Sequence, residues 1–138
     1  MRETSRRDFL AAGAVAGTTL VAGETLAKPA LNTPTPKLLH QVFFWLRNPA
    51  SVADRAQLIA GITSLATIET VRLFHVGVPA STERRAVVDD SYHVAELLGF
   101  DDVAGQNAYQ AHPLHQRFVA EHEHLWRRAV VYDAMAVE

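Results

Sequence analysis

Between Leu38 and Leu46 the chain reads LLHQVFFWL, a run in which only His40 and Gln41 are polar. Its length and aromatic content suit a β-strand covered on both faces. One face carries Leu38, His40, Val42, Phe44 and Leu46; the other carries Leu39, Gln41, Phe43 and Trp45. Asn48-Pro49 ends the strand. Ser51 with Asp54 three residues on has the spacing of a capping box, opening a helix through about Leu65. Leu58, Ile59, Ile62 and Leu65 form its apolar stripe. Val71 to Val78 is β-branched and aromatic, a second strand ended by Pro79. Ser81 to Asp90 is a polar connection, and Ser91 to Phe100 reads as a third strand. Gly99 in that strand marks a bulge or the close approach of another chain. Asp101 can cap a short helix through Ala111. His112 precedes Pro113 and is thereby pushed out of helical geometry. Pro113 suits the first turn of a further helix, Leu114 to about His124. Arg127 to Val137 supplies a last strand.

The order is strand, helix, strand, strand, helix, strand, which is the ferredoxin-like α+β plan. Helices cover only one face of such a sheet, yet the first strand is apolar on both. A second copy, sheet against sheet, would bury the bare face and close a dimeric α/β barrel. A homodimer is the expected assembly.

The segment before the first strand has a different character. SRRDFL, Ser5 to Leu10, precedes the uncharged stretch AAGAVAGTTLVAG, Ala11 to Gly23. Charged residues, a mildly apolar run and small residues near a cleavage point make a signal peptide. The pair Arg6–Arg7 ahead of Phe9–Leu10 has the form of a twin-arginine export signal. The alternative is a helical extension of the soluble chain. A cut after Ala27 is expected, with Ala22 and Ala30 as competing positions, so residues 1–27 are assigned to the signal. The apolar run is too weak and short for a stable membrane span, and no stable span is expected after signal cleavage. Such export delivers folded protein through the twin-arginine machinery to the periplasm or beyond. KPALNTPTPK, Lys28 to Lys37, reads as a Pro-rich linker into a domain at 38–138.

Composition narrows the chemistry. The formal net charge is -2 with no long single-sign run, so no nucleic-acid footprint is present. The absence of cysteine excludes disulfides, thiolate catalysis and zinc–cysteine sites. No nucleotide, flavin or nicotinamide fingerprint occurs, and no cofactor is expected. Seven histidines are present, six of them from His75 onward. Two lie in YQAHPLH, Tyr109 to His115, either a reactive cluster or a helix break that happens to contain histidines. Imidazole titrates near neutral pH, and a neighbouring phenol can orient it or stabilise a developing enolate. His115 has Phe118, Val119 and His122 at helical spacing, a largely apolar face whose burial would keep the ring neutral. The bland reading is that His112 caps a helix and His115 satisfies a buried hydrogen bond. EHEH, Glu121 to His124, suggests a metal, but His122 and His124 point about 200° apart on a helix. No metal site is expected.

The chain resembles the stress-responsive A/B barrel (Dabb) family of dimeric α+β barrels. The residues that carry the resemblance are HQVFFWL at 40–46, VGVPA at 76–80, VVDDSY at 87–92, YQAHPLHQRFV at 109–119 and VVYD at 130–133. Within the family it resembles, distantly, the plant polyketide cyclases such as olivetolic acid cyclase. That likeness implies a base at His115 assisted by Tyr109, with His40 and Trp126 on the pocket wall. Val42 and Phe44, on the same strand face as His40, and His112 complete the expected pocket. Two positions depart from the cyclase pattern. Ile62 stands where a pocket tyrosine is expected on the first helix. Val94 stands where a third-strand histidine is expected, with His93 beside it on the opposite face.

Three readings follow. The first is an exported homodimer binding a small apolar or carbonyl ligand between sheet and helices. The second is a cofactor-independent cyclase, isomerase or lyase with His115 as base and Tyr109 as its partner. The third is a purely structural, stress-related assembly.

Overall fold

Two central strands hold the sheet together. In the computed structural model, which describes residues 34–138, β1 (Leu38–Leu46) and β3 (Val94–Phe100) pair antiparallel from Leu38–Phe100 to Phe44–Val94. β4 (Trp126–Met135) adds to the outer side of β1, and β2 (Leu73–Gly77) to the outer side of β3. The strand order is therefore β2-β3-β1-β4, the ferredoxin-like order. The signal segment, residues 1–27, and the first part of the linker lie outside the described residues.

The helical layer packs on one face. α1 (Val52–Ser64) begins where expected, and Ser51 Oγ accepts the amide hydrogen of Asp54 at 3.0 Å. Its stripe residues Leu58, Ile62 and Leu65 are fully buried, and Ile59 packs at the edge of the core. α2 (Val103–Ala111) is capped by Asp102, one residue later than the sequence suggested. Asp102 Oδ1 accepts from Gly105 N at 2.7 Å, while Asp101 pairs instead with Arg72 at 2.9 Å. α3 (Pro113–His122) is shorter than expected, and a 3₁₀ turn at Glu123–Leu125 tightens the chain into β4. The third strand also starts three residues late, at Val94, because residues 91–93 form the approach to it.

Alternation decides which side chains enter the core. Leu38, His40, Val42 and Phe44 of β1 face the helices, as do Val94, Glu96, Leu98 and Phe100 of β3. The other face carries Leu39, Gln41, Phe43 and Leu97, all partly exposed. On that face Phe43 meets Tyr92 and Tyr132 edge-on, with centroids 4.9 and 6.1 Å away, and the Arg128 guanidinium lies 4.5 Å over the Trp45 ring.

Gly99 is not bulged, and Pro36 and Leu73 of its own chain approach it closely. Its pairing with Leu39 is in register, and a Cβ there would stand 2.6 Å from Pro36 Cγ and 2.9 Å from Leu73 Cβ. The irregularity lies elsewhere, between Trp45 and Leu46 where β1 leaves β4. His93 repairs it: its Nδ1 accepts the Leu46 amide hydrogen at 2.9 Å.

Candidate functional site

The period of two along β1 places His40 inward, 3% exposed. It sits directly opposite Asp133 of β4, with Nδ1 2.5 Å from Asp133 Oδ1. The carboxylate oxygen accepts here, so Nδ1 carries the hydrogen of this bond and Nε2 is the ring nitrogen left outside the pair. The Asp133 side chain is half-exposed, at the rim.

Opposite this pair, α2 brings Tyr109 into the core in its last turn. The phenol donates to Glu96 Oε1 at 3.1 Å, and both residues are buried. Glu96 is a lone carboxyl on the inward face of β3, between Val94 and Leu98. Burial pushes it up to about 7, against the lowering effect of the Tyr109 hydrogen bond. Burial and the neighbouring Glu96 hold the Tyr109 hydroxyl far above the ordinary phenol range.

The Pro113 break lets α3 start in a new direction, and His115 in its first turn turns toward Tyr109, centroids 4.7 Å apart. Burial, and then the nearby His40, lower the His115 pKa, against a raising backbone contact at Gln110. The ring is therefore neutral at pH 7 and able to accept a proton.

These groups border one cavity of about 200 Å³ between sheet and helices. His40, Glu96, Tyr109, Gln110 and His115 supply its polar groups, and among the described residues no lysine or arginine lines it. Phe44, Phe118 and Trp126 form an aromatic wall, with Trp126 5.1 Å from Phe44 and 5.9 Å from Phe118. Val42, Val119 and Val131 complete the apolar surface. A larger hollow of about 510 Å³ is enclosed by the single loop 79–90, whose side chains are nearly all exposed, so nothing buried converges there.

The structure thus brings together six residues singled out from the sequence: His115, Tyr109, His40, Val42, Phe44 and Trp126. His112 is the correction. It does not line the cavity; its Nδ1 accepts from Leu114 N at 3.0 Å and caps α3, while Nε2 stands 3.5 Å from Glu69. The residue before a proline is already extended, which is the geometry of an N-cap. Ile62 and Val94, the two departures from the cyclase pattern, are fully buried in the core.

Two polar groups escaped the sequence reading. Glu96 was visible in principle, because it shares the inward face of Val94 and Leu98 by strict alternation. Asp133 required the β1–β4 register, which pattern alone does not supply. His122 of the EHEH segment is taken by the helix packing: its ring stacks on Phe118 and its Nδ1 lies 2.9 Å from the Phe118 carbonyl oxygen. Among the described residues no three His, Asp or Glu side chains gather to hold a metal ion.

Comparison with known proteins places this geometry in context. Residues 38–136 match the family described as Dabb, Stress responsive A/B Barrel Domain. No curated protein matches the chain. Among solved structures, a Dabb family protein with a ferredoxin-like fold from Mesorhizobium loti is 21% identical, with TM-score 0.62 over 73% of this chain and 97% of its own. A dimeric ferredoxin-like protein of unknown function from Thermobifida fusca is 20% identical, with TM-score 0.61 over 77% and 96%. The hydroxynitrile lyase from Passiflora edulis is 23% identical, with TM-score 0.62 over 76% and 97%. At these identities the likeness is one of fold.

Proposed function

The chain belongs to the Stress responsive A/B Barrel Domain family, and from that premise we propose that it binds a compact carbonyl compound in the sheet–helix cavity and moves a proton beside the carbonyl without a cofactor. The observation that carries this reading is the convergence of His40, His115 and the Tyr109–Glu96 pair, from four elements, on one small apolar cavity. A structural core has little reason to gather four ionisable groups, three of them buried, since burial costs desolvation.

His115 is the base. Its neutral ring takes a proton from the carbon next to the carbonyl; that C–H pair becomes the new C=C bond, the carbonyl π pair moves onto oxygen as an enolate, and return of a proton from His115 to carbon closes the cycle. His40, oriented by Asp133, accepts a proton at Nε2 from a ligand hydroxyl and hands it on to the product. The same groups suit an isomerase, an aldol-type cyclase or a lyase. The hydroxynitrile lyase similarity in fold supports including cleavage next to a carbonyl carbon among these.

The protein acts as a homodimer in this proposal. The partly exposed Leu39, Phe43 and Leu97 on the face without helices support it, as do neighbours described as dimeric. We also propose export through Arg6–Arg7 and loss of residues 1–27. Intact-mass measurement of the protein from the extracytoplasmic fraction checks both, and a full-length chain retained in the cytoplasm contradicts them.

The test of the activity is deuterium uptake from D₂O into the methyl group of acetophenone, followed by NMR. Wild-type protein is expected to catalyse uptake, and His115→Ala to lose roughly 10²-fold or more. Uptake no faster than in buffer, or equal in both proteins, overturns the proposal.

A further inference from the structure

The Tyr109–Glu96 pair does something the family motif does not describe. Tyr109 belongs to YQAHPLH; Glu96 is a feature of this chain's third strand. The two groups hydrogen-bond to each other at 3.1 Å, and no other side chain bonds to either among the described residues. Glu96 is 3% exposed and lines the cavity.

Counting hydrogens gives the pair two states. With Glu96 ionised, the pair holds one hydroxyl hydrogen, and the mutual bond uses it. Nothing is left to offer a ligand. With Glu96 neutral, the pair holds two, one for the mutual bond and one pointing into the cavity. Burial without a lysine or arginine on the wall favours the neutral acid.

Resting on the proposed carbonyl-binding reading, we propose that Glu96 and Tyr109 form a paired acid whose spare hydrogen bonds the ligand's carbonyl oxygen, making Glu96 the residue that selects a carbonyl over an apolar ligand. In the reaction, the α-carbon loses its proton to His115 and the carbonyl oxygen takes up electron density. The hydrogen donated by the pair stabilises that oxygen or passes to it, leaving Glu96 ionised until a proton returns. A buried carboxylic acid beside a tyrosine is a known means of stabilising an enolate oxygen. The ionisable groups facing Glu96 are His40 from β1, Tyr109 from α2 and His115 from α3; β2 offers the apolar Val76 opposite Glu96. Because burial puts the Glu96 carboxyl at about 7, the spare hydrogen is present at pH 6 and largely gone at pH 8.

The test uses a matched pair of probes on the intact dimer, acetophenone labelled with ¹³C at the carbonyl and ethylbenzene, which lacks the oxygen. Wild-type protein at pH 6 is expected to prefer acetophenone by roughly ten-fold, the order of one hydrogen bond. The bound carbonyl carbon should move downfield, and both effects should shrink at pH 8. Glu96→Val is expected to abolish the preference while keeping ethylbenzene binding, which certifies the fold. Glu96→Gln carries a permanent donor and is expected to retain a preference that no longer changes with pH. A preference unchanged in Glu96→Val overturns the assignment of Glu96 and leaves carbonyl binding standing. Binding of neither probe to the wild type overturns that reading and this one together.

Discussion

His40 on β1 and Asp133 on β4 face each other across a directly paired position, Nδ1 to Oδ1 at 2.5 Å. One residue is buried and the other half-exposed, so the contact ties the inner wall of the cavity to its rim. The carboxylate fixes which ring nitrogen carries the hydrogen. Asp133→Asn can present its amide in two ways and loses that control. Imidazole ¹⁵N NMR is expected to show Nδ1–H alone in the wild type and a mixture of tautomers in the variant. The stability cost should stay below about 1 kcal/mol, since solvent screens the pair.

Glu96 and His115 give stability opposite slopes with pH. The Glu96 carboxyl is raised from 4.5 to about 7 in the folded state, so the folded chain holds the proton more tightly. Its contribution is full below pH 4.5 and is lost as pH rises through about 7, an effect on the order of 3 kcal/mol. His115 is lowered from 6.5, so its neutral form favours folding. That contribution is present above pH 6.5 and is lost as pH falls through the lower folded value. Denaturant unfolding between pH 5 and 8 is expected to lose its fall from pH 5 to about 7 in Glu96→Gln. In His115→Gln it should flatten on the acid side.

Gly99 admits Pro36 and Leu73 where a side chain would stand. Leu73 Cβ is fixed to the neighbouring strand and cannot turn away. Gly99→Ala is therefore expected to cost about 1–3 kcal/mol in urea unfolding, with Pro36 displaced. An unchanged midpoint would show that the approach is loose.

The sheet face away from the helices should be the dimer interface. Leu97→Glu puts a charge at its centre, whereas Val52→Glu changes an exposed residue on α1. Light scattering is expected to give two chains for the wild type and for Val52→Glu, and one chain for Leu97→Glu. A dimer in all three would move the interface elsewhere.

Much of this site could be read before any fold was known, and the reasons differ by residue. β1 was legible to its ends because an apolar run bounded by Pro36 and Asn48-Pro49 leaves little choice. The alternation that put His40, Val42 and Phe44 on one face is a property of any strand. The Ser51 cap followed from spacing. Three things were not legible. Asp101 and Asp102 are equally good caps by type, and only the Arg72 pairing shows which one is free to cap α2. His112 lay in the family's motif, yet the proline after it commits its ring to the α3 amides. Asp133 depends on the β1–β4 register, which pairs it with a residue 93 positions away and which a local pattern does not encode.

Where a carbonyl compound sits decides the central claim most directly. Crystals of the wild-type protein soaked with 4-bromoacetophenone locate the ring by the anomalous signal of bromine. The ring is expected against Phe44, Phe118 and Trp126, with the oxygen toward Tyr109 and Glu96 and the methyl carbon at His115. Bromine found on the opposite sheet face or in the 79–90 loop, with the sheet–helix cavity empty, would contradict the account.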